Sequence, residues 1–293
     1  MATIRERANA KINLYLDVLS KREDGFHDVK TVMHTVTFGD VVTVRCEPAE
    51  KTSVRMTIKG NKFLPTDSRN LAVRAAHLFL ERAAMQAKVT IELTKRIPVA
   101  AGLAGGSTDA AAVLRALNKL CGRLFTFSAL TQIAAELGSD VAYCLHGKTA
   151  LCEGRGELIT RIKCNIGYSF VIAIANEHVS TPAAYKAIDG VYSDFDGTVI
   201  TGGEERYARL LDTLGEPYFD PSGLFNVFER AVLPECPGAA KIKERLIELG
   251  AEAALMSGSG PSVFGIFRDF EEAKRACYAL RKESYKAYYA KSN

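Results

Sequence analysis

The sequence has few of the features that mark membrane and secreted proteins. Its longest uninterrupted apolar run covers residues 170–175, whereas a membrane-spanning helix needs roughly 20 apolar residues. The first residues, MATIRERANAKINLYL, include no long apolar core of the kind found in signal peptides. We therefore expect a cytoplasmic protein that has no membrane partner.

Metal-binding and disulfide patterns are also lacking. The chain has seven cysteines and five histidines, but it has no C-x-x-C pair and its histidines lie far apart. A structural zinc site needs closely spaced Cys and His ligands, so we expect none. The odd number of cysteines suits reduced thiols in the cytosol.

A large excess of charge of either sign is absent. Lys and Arg number 38 and Asp and Glu 34, which gives a net charge of +4. So small a surplus is compatible with anionic small molecules and gives no reason to expect a nucleic-acid partner. Hydrophobic residues make up 47% of the 293 residues, as in globular proteins, and this length suggests two domains. A glycine-rich stretch at 147–156 predicts domains at 1–155 and 156–293.

The hydrophobic pattern predicts a mixture of strands and helices. Residues 8–18 alternate between an apolar face and a face with Lys11, Asn13, Tyr15 and Asp17. The plainest interpretation is an edge strand whose Lys11 lies in solvent. Further strands are predicted at 30–38, 41–46, 88–93, 141–145, 168–175, 253–256 and 263–267, and helices at 128–137, 237–249, 270–283 and after a cap at Asp67 or Ser68.

Residues 95–118, KRIPVAAGLAGGSTDAAAVLRALN, predict a strand, a loop of small residues and a helix. Small residues let the backbone approach a ligand closely, and a helix N-terminus presents free N–H groups, so the segment suits phosphate. Ser107 or Thr108 could cap the helix, with Asp109 in its first turn. The alternative is a tight turn that binds nothing.

Asp140 is a candidate general base. It follows the stop of a predicted helix at Gly138 and stands at the mouth of the predicted strand 141–145. An aspartate after a glycine is, however, more often a turn residue.

Three other motifs fail. The sequence Gly147-Lys148-Thr149 ends like a Walker A loop but has Ala142 where the first glycine belongs. Gly258-Ser259-Gly260 begins like a dinucleotide-binding motif but has Val263 in place of the third glycine. DFDGT at 194–198 resembles a phosphatase nucleophile motif, but no good strand precedes it, and we expect 189–203 to form a long, acidic surface loop.

Four stretches in order carry a family resemblance: AKINLYLDVLSKREDGFH, IPVAAGLAGGSTDAAAVLRALN, LGSDVAYCLHGKTALCEGRGE and MSGSGPSVFGIF. Together they resemble the galacto-homoserine-mevalonate-phosphomevalonate (GHMP) kinases. The resemblance implies an α+β, two-domain fold. The N-terminal α/β domain would be of the ribosomal-protein-S5-domain-2 type, and the C-terminal substrate-binding domain would be ferredoxin-like.

The resemblance also implies the activity. The first and third stretches are similar to those of family members that act in the non-mevalonate isoprenoid precursor pathway. There the 2-hydroxyl of 4-diphosphocytidyl-2-C-methyl-D-erythritol is phosphorylated by ATP with Mg²⁺. The ATP phosphates would be wrapped by Pro98, Val99, Ala100, Ala101, Gly102, Leu103, Ala104, Gly105, Gly106, Ser107 and Thr108.

The same resemblance implies roles for single residues near the reacting hydroxyl. Asp140 would remove its proton, and Lys11 would keep that carboxylate ionised and steady the incoming oxygen. Asp109, close to the phosphate loop, would be an indirect partner of the metal, which would have no direct protein ligand that we can name. The Gly258-Ser259-Gly260 loop would pack behind the phosphate loop.

Substrate contacts follow from the resemblance as well. Asn13 would hydrogen-bond the substrate, His27 would read the cytosine edge, and Phe26 and Tyr185 would stack on the ring. Thr181, just ahead of Tyr185, would also contribute.

The sequence departs from the family pattern at several of these positions. Phe26 stands where the family more often has Tyr, and Tyr185 where Phe is common. Ala100, Ala101 and Ala104 replace loop residues that are often Gly, although Ala resists positive φ.

Two other functions stay open. One is a GHMP kinase with a different substrate, and the other is an inactive nucleotide-binding sensor. A nucleic-acid role would rest on the basic tail at 281–291, which is more often a solvated helix end. The sequence does not indicate the oligomeric state.

Overall fold

The computed structural model describes residues 2–164, 167–191, 203–216 and 220–293. Residues 192–202 of the predicted acidic loop, with its DFDGT motif, lie outside these residues. At its two ends the prediction is wrong, because 189–191 and 203 belong to helices. None of the helices in the described ranges is long and apolar enough to cross a membrane.

The chain divides into two compact units. The first contains residues 1–10, 39–99 and 104–147, and the second contains residues 11–38, 100–103 and 148–293. Strands β1 (Thr3–Lys21) and β2 (His27–Pro48) each contribute residues to both. The boundary at 155/156 stays a prediction.

The first unit combines a sheet with helices. Besides parts of β1 and β2 it contains β3 (Ser53–Lys59), α1 (Leu71–Arg82), β4 (Ala87–Thr94), α2 (Gly105–Leu120), α3 (Phe127–Leu137) and α4 (Ser139–His146). Strand β4 pairs antiparallel with β2 and parallel with β3, and α1 packs against α2. Alternate residues of β4 are buried, and α2 is buried on nearly all sides, as its run of alanines allows.

The second unit contains a four-stranded antiparallel sheet in the order β11-β7-β10-β9. Its elements are β5 (Thr149–Glu153), β6 (Leu158–Arg161), β7 (Ser169–Ile174), α5 (Thr181–Val191), α6 (Gly203–Leu214), β8 (Phe225–Asn226), α7 (Glu229–Val232), α8 (Pro237–Glu248), β9 (Ala253–Met256), β10 (Ser262–Phe267), α9 (Phe270–Lys282) and β11 (Lys286–Lys291). Every residue of β7 and β10 is buried, since α8 and α9 pack on this sheet. In the same unit β5 pairs with β2 and β8 pairs with β1.

Several sequence predictions are confirmed within a few residues. These are α3, α8 and α9, and the strands β4, β7, β9 and β10. The proline at the start of α8 and the glycine just past its end follow the usual placement of these residues at helix ends.

Two predicted elements are wrong. Residues 141–145 belong to helix α4 and not to a strand. The sequence could not distinguish the two, because a five-residue apolar run between glycines fits either structure by its pattern alone. The basic tail is not a solvated helix end either. It forms β11, whose backbone pairs with β7 from Lys286 to Lys291.

Smaller corrections concern helix starts and strand lengths. The cap of α1 is Asn70, whose side chain accepts a hydrogen bond from the N–H of Ala72, and neither Asp67 nor Ser68 fills that place. The two strands predicted at 30–38 and 41–46 form one long strand, β2.

The polar face of β1 is buried, which contradicts the expected edge strand. Its residues Lys11, Asn13 and Asp17 are 5%, 3% and 2% exposed. Strand β1 is moreover an inner strand, since it lies between β2 and β8 in its sheet. Asp17 accepts hydrogen bonds from the hydroxyl of Tyr15 at 3.1 Å and from the N–H of Val18 at 2.9 Å. Burial nevertheless raises the pKa of the Asp17 carboxyl, because these two bonds do not fully offset the loss of water.

The buried Asp17 predicts a pH dependence of stability. Because its pKa is higher in the folded than in the unfolded chain, its contribution to stability is greatest below the unfolded value and falls as pH rises through the folded one. The stability of Asp17→Asn relative to wild type should therefore be highest at pH 7–8 and should fall towards pH 4. Thermal unfolding between pH 4 and 8 measures this.

Asp28→Asn is the matched control. A hydrogen bond from Arg22 lowers the pKa of Asp28, so this variant should lose a little stability at neutral pH and approach wild type in acid. A pH-independent effect of Asp17→Asn would show that the ionised carboxylate is not the cause.

Candidate functional site

A buried ion cluster lies at both ends of the predicted phosphate loop, in the first unit. The ammonium of Lys95 donates to Asp40 at 2.6 Å, to Asp109 at 2.6 Å and to the carbonyl of Gly105 at 2.9 Å. All three charged side chains are buried. The cluster thus ties the end of the strand before the loop to the first turns of α2.

Asp40 also holds the backbone that enters the loop. Its second carboxylate oxygen accepts the N–H groups of Arg96 at 2.5 Å and Ile97 at 2.8 Å. Both oxygens of Asp40 therefore face donors. No sequence signal pointed to this residue, which is 55 positions from Lys95.

Asp109 differs from Asp40 in having one oxygen unused. Its Oδ1 atom is buried and has no hydrogen-bond partner in the described part of the chain. Burial raises the pKa of Asp109 and outweighs the opposing charge of Lys95, and the neighbouring Asp40 carboxylate adds to the increase. The sequence predicted Asp109 in the first turn of α2, but the residue lies beyond that turn.

The start of α2 also differs from expectation. Its cap is Ala104, with φ 55°, and neither Ser107 nor Thr108 fills that place. The hydroxyl of Thr108 donates to the carbonyl of Asn9 at 2.8 Å. Alanine resists this left-handed conformation at a cost of about 1–2 kcal/mol, and Ala100 adopts it too, with φ 53°.

The first two glycines of α2, Gly105 and Gly106, differ in the space around them. A Cβ atom on Gly105 would lie 2.9 Å from a methyl of Ile97, so this position must stay small. A Cβ on Gly106 would meet nothing within 4 Å. The first N–H groups of α2 lack partners within the helix, and the space beside Gly106 leaves them open to an anion.

We expect Asp109 and Asp40 to differ in how much folding stability is lost when each is replaced by asparagine. Asp109→Asn can turn its NH₂ group to the side where Oδ1 has no partner and keep its oxygen on Lys95, so it should cost less than about 1 kcal/mol. Asp40→Asn must point an NH₂ at a donor and should cost about 3 kcal/mol. Denaturant unfolding measures both.

Lys95→Met should give the largest loss of stability of these variants, because it leaves two carboxylates buried without a counter-ion. Equal costs for the two amide variants would contradict the assigned difference between their oxygens.

Lys11 lies in the second unit beside the Gly258-Ser259-Gly260 loop. Its ammonium donates to Oδ1 of Asn13 at 2.7 Å, and a Cβ on Gly258 would lie 3.3 Å from the Lys11 nitrogen. The φ of 58° at Gly258 favours glycine there. In the same unit, Gly102 lies so close to the Ser257 carbonyl, 2.1 Å from its would-be Cβ, that only glycine fits.

Asn226 holds this loop in place. Its amide donates to the carbonyls of Met256 at 2.7 Å and Gly258 at 2.8 Å, and its oxygen accepts the N–H of Phe228 at 3.0 Å. The hydroxyl of Thr181, at the start of α5, lies 3.0 Å from that of Ser259. The part that Asn226 plays in holding this loop could not be predicted from the sequence, because an isolated Asn belongs to no recognisable motif.

The structure brings His27 and Tyr185 together in the second unit. Their rings stack with centroids 4.8 Å apart and 24° between planes. Phe26 is 57% exposed, with the guanidinium of Arg155 5.2 Å from its ring centre. Of the two aromatic rings assigned to the cytosine, that of Tyr185 therefore lies against His27.

Asp189 is a further member of this group that the sequence analysis did not identify. Its carboxylate lies 2.7 Å from Nε2 of His27 and accepts from Lys21 at 2.5 Å. Burial raises the pKa of Asp189, but the hydrogen bonds from Lys21 and His27 prevail and lower it below its usual value. A signal did exist, because Asp189 lies four residues after Tyr185 and therefore on the same face of α5.

Asp140 lies in the first turn of α4, in the first unit, and is half-buried. Within the described ranges its carboxylate has no recorded hydrogen-bond or ion-pair partner. Over the same ranges, no group of three or more His, Cys, Asp or Glu side chains could hold a metal ion.

Comparison with known proteins gives consistent results for both ends of the chain. The family model described as "GHMP kinases N terminal domain" matches residues 70–148, and "GHMP kinases C terminal" matches residues 207–287. The chain is 42% identical to 4-diphosphocytidyl-2-C-methyl-D-erythritol kinase of Bacillus licheniformis, over 95% of this chain and 93% of that protein. It is 41% identical to the enzyme of the same name from Bacillus subtilis, with the same coverage.

Solved structures show the same relationship. A crystal structure of 4-(cytidine 5'-diphospho)-2C-methyl-D-erythritol kinase superposes with a TM-score of 0.80 at 32% identity, covering 98% of both chains. Homoserine kinase from Cytophaga hutchinsonii superposes with a TM-score of 0.79 at 22% identity, over 100% of this chain and 96% of that one, which shows likeness of fold alone.

Proposed function

The chain belongs to the GHMP kinase family, and we propose that it transfers the γ-phosphoryl group of ATP to the 2-hydroxyl of 4-diphosphocytidyl-2-C-methyl-D-erythritol. The family makes the protein a kinase that phosphorylates a small molecule. The substrate is the one in the names of its relatives. The contact between His27 and Tyr185 carries the proposal, because it brings together two rings that the family resemblance assigns to the cytosine.

Asp140 is the general base of the proposed reaction. A kinase of this kind must take a proton from the attacking hydroxyl and neutralise charge on the transferred group. The Asp140 carboxylate, which no described side chain engages, can accept that proton. Lys11 steadies the attacking oxygen, and the hydrogen bond to Asn13 holds its ammonium.

The phosphates of ATP bind residues 98–108 in this proposal. Supporting it are the open space beside Gly106 and the free N–H groups at the start of α2. Mg²⁺ accompanies the nucleotide. It commonly keeps its waters and binds substrate phosphates with only one or two carboxylates, which suits a chain whose described residues hold no larger acidic set. The unpartnered oxygen of Asp109 fits an indirect contact through water.

Recognition of the cytidyl group falls to His27, Phe26 and Tyr185. Phe26 lacks a hydroxyl and Tyr185 has one, but stacking depends on the ring face, which both retain. The proposal includes a cytoplasmic location, which fits a chain whose seven cysteines form no disulfide bond.

Measurement of ADP release tests the substrate. Purified protein with Mg-ATP should turn over 4-diphosphocytidyl-2-C-methyl-D-erythritol and should leave the same alcohol without its cytidyl group untouched. Asp140→Asn should lower turnover about 10²–10⁴-fold with ATP binding retained, because it removes the general base. Near-normal turnover by this variant would refute the role of Asp140.

If neither alcohol is turned over while ATP still binds, the family assignment would stand. The result would then point to a different substrate or to a nucleotide-binding sensor. The same fold serves homoserine kinase, so the fold by itself does not choose the substrate.

His27→Ala should affect one substrate only. Loss of the imidazole removes a stacking and hydrogen-bonding partner of the cytosine, so KM for the cytidyl substrate should rise roughly 10- to 100-fold, as expected for about 1–3 kcal/mol. The affinity for ATP should not change. Steady-state kinetics with each substrate varied in turn measures both, and equal weakening would place His27 outside the cytosine site.

A further inference from the structure

A chain of hydrogen bonds runs behind Lys11 in the second unit. The ammonium of Lys11 donates to Oδ1 of Asn13 at 2.7 Å. The NH₂ group of Asn13 donates to Oγ1 of Thr31 at 2.8 Å, and the Thr31 hydroxyl donates to the backbone carbonyl of Tyr15 at 2.7 Å. All of these side chains are buried, so water does not compete for these bonds.

The direction of this chain is fixed at Thr31. A threonine hydroxyl has one hydrogen, and here that hydrogen is given to a backbone carbonyl, which can only accept. The oxygen of Thr31 must then accept from Asn13. The NH₂ group of Asn13 therefore faces Thr31, and its oxygen faces Lys11.

The opposite orientation of the amide is unfavourable at both ends. A flipped Asn13 would point its NH₂ group at the ammonium of Lys11 and its oxygen at a hydroxyl whose hydrogen is already engaged. An asparagine amide is otherwise free to flip, since its two ends have almost the same shape. Thr31 thus removes one of two orientations.

We propose that Thr31 is a positioning residue for phosphoryl transfer, which fixes the amide of Asn13 and, through it, the ammonium of Lys11. The inference rests on the proposed function, because that function gives Lys11 its role. Thr31 does not itself touch the substrate. Asn13 accordingly has a part in holding Lys11 that adds to any contact it makes with substrate.

Thr31→Val tests the proposal, since valine keeps the shape of threonine and removes the hydroxyl. We expect kcat to fall roughly 10- to 100-fold, the size of effect that a small misplacement of a reacting group produces, with KM for ATP changed less than about 3-fold. Thr31→Ser retains the hydroxyl and should restore kcat to within about 3-fold of wild type.

Thr149→Val is the matched control. Thr149 is a buried threonine on β5, and its hydroxyl lies 2.8 Å from Nδ1 of His34 and makes no recorded bond to Lys11 or Asn13. This variant should lose stability to a similar degree and keep its kcat. Equal loss of kcat in both valine variants, normal kcat in Thr31→Val, or failure of Thr31→Ser to restore activity would each overturn the proposal.

Chemical labelling separates this inference from the proposed function. Reductive methylation of Lys11, quantified by peptide mass spectrometry, needs no substrate. It should proceed several-fold faster in Thr31→Val than in Thr31→Ser or wild type, because the ammonium loses its fixed acceptor. Unchanged labelling would overturn the role of Thr31, whereas inactivity of the wild type towards the cytidyl substrate, with the labelling difference present, would count against the proposed function alone.

Discussion

A buried ammonium must be given acceptors, and two buried lysines satisfy this need in different ways. Lys95 uses all three of its hydrogens, on two carboxylates and a carbonyl, and so holds the ends of the phosphate loop. Lys11 has one acceptor, Asn13, in the described part of the chain. It therefore keeps hydrogens for a ligand. The number of satisfied donors distinguishes Lys95, which holds the loop, from Lys11, whose proposed role is in the reaction.

Local signals were enough to predict many of the elements. Helices with a clear apolar face and a proline or glycine at an end, such as α8, were found within a few residues. The failures share one cause, which is that the outcome depends on distant parts of the chain. The tail becomes β11 because β7 offers it an edge, and β1 is an inner strand because β8 pairs with it, and neither partner is adjacent in sequence.

The proposed site residues divide in the same way. Roles for Lys11, Asn13 and His27 were predicted from the family resemblance and stay proposals, and the structure shows Lys11 hydrogen-bonded to Asn13 and His27 stacked on Tyr185. Their supports were not identified. Thr31 lies 18 positions from Asn13, and Asp189 lies 162 from His27. A supporting residue needs only to reach its partner in space, and its sequence neighbourhood carries no mark of that partnership.

The alanine that caps α2 shows how such supports act together. Ala104 takes a left-handed conformation that glycine would adopt without strain, so other contacts must hold it there. The ion cluster supplies these contacts at nearby residues. Lys95 donates to the carbonyl of Gly105, and Asp40 accepts a hydrogen bond from the N–H of Ile97. Alanine also has fewer unfolded conformations than glycine, which offsets part of the strain. A loop end held this firmly loses little further freedom when a phosphate binds, and this preorganisation favours binding.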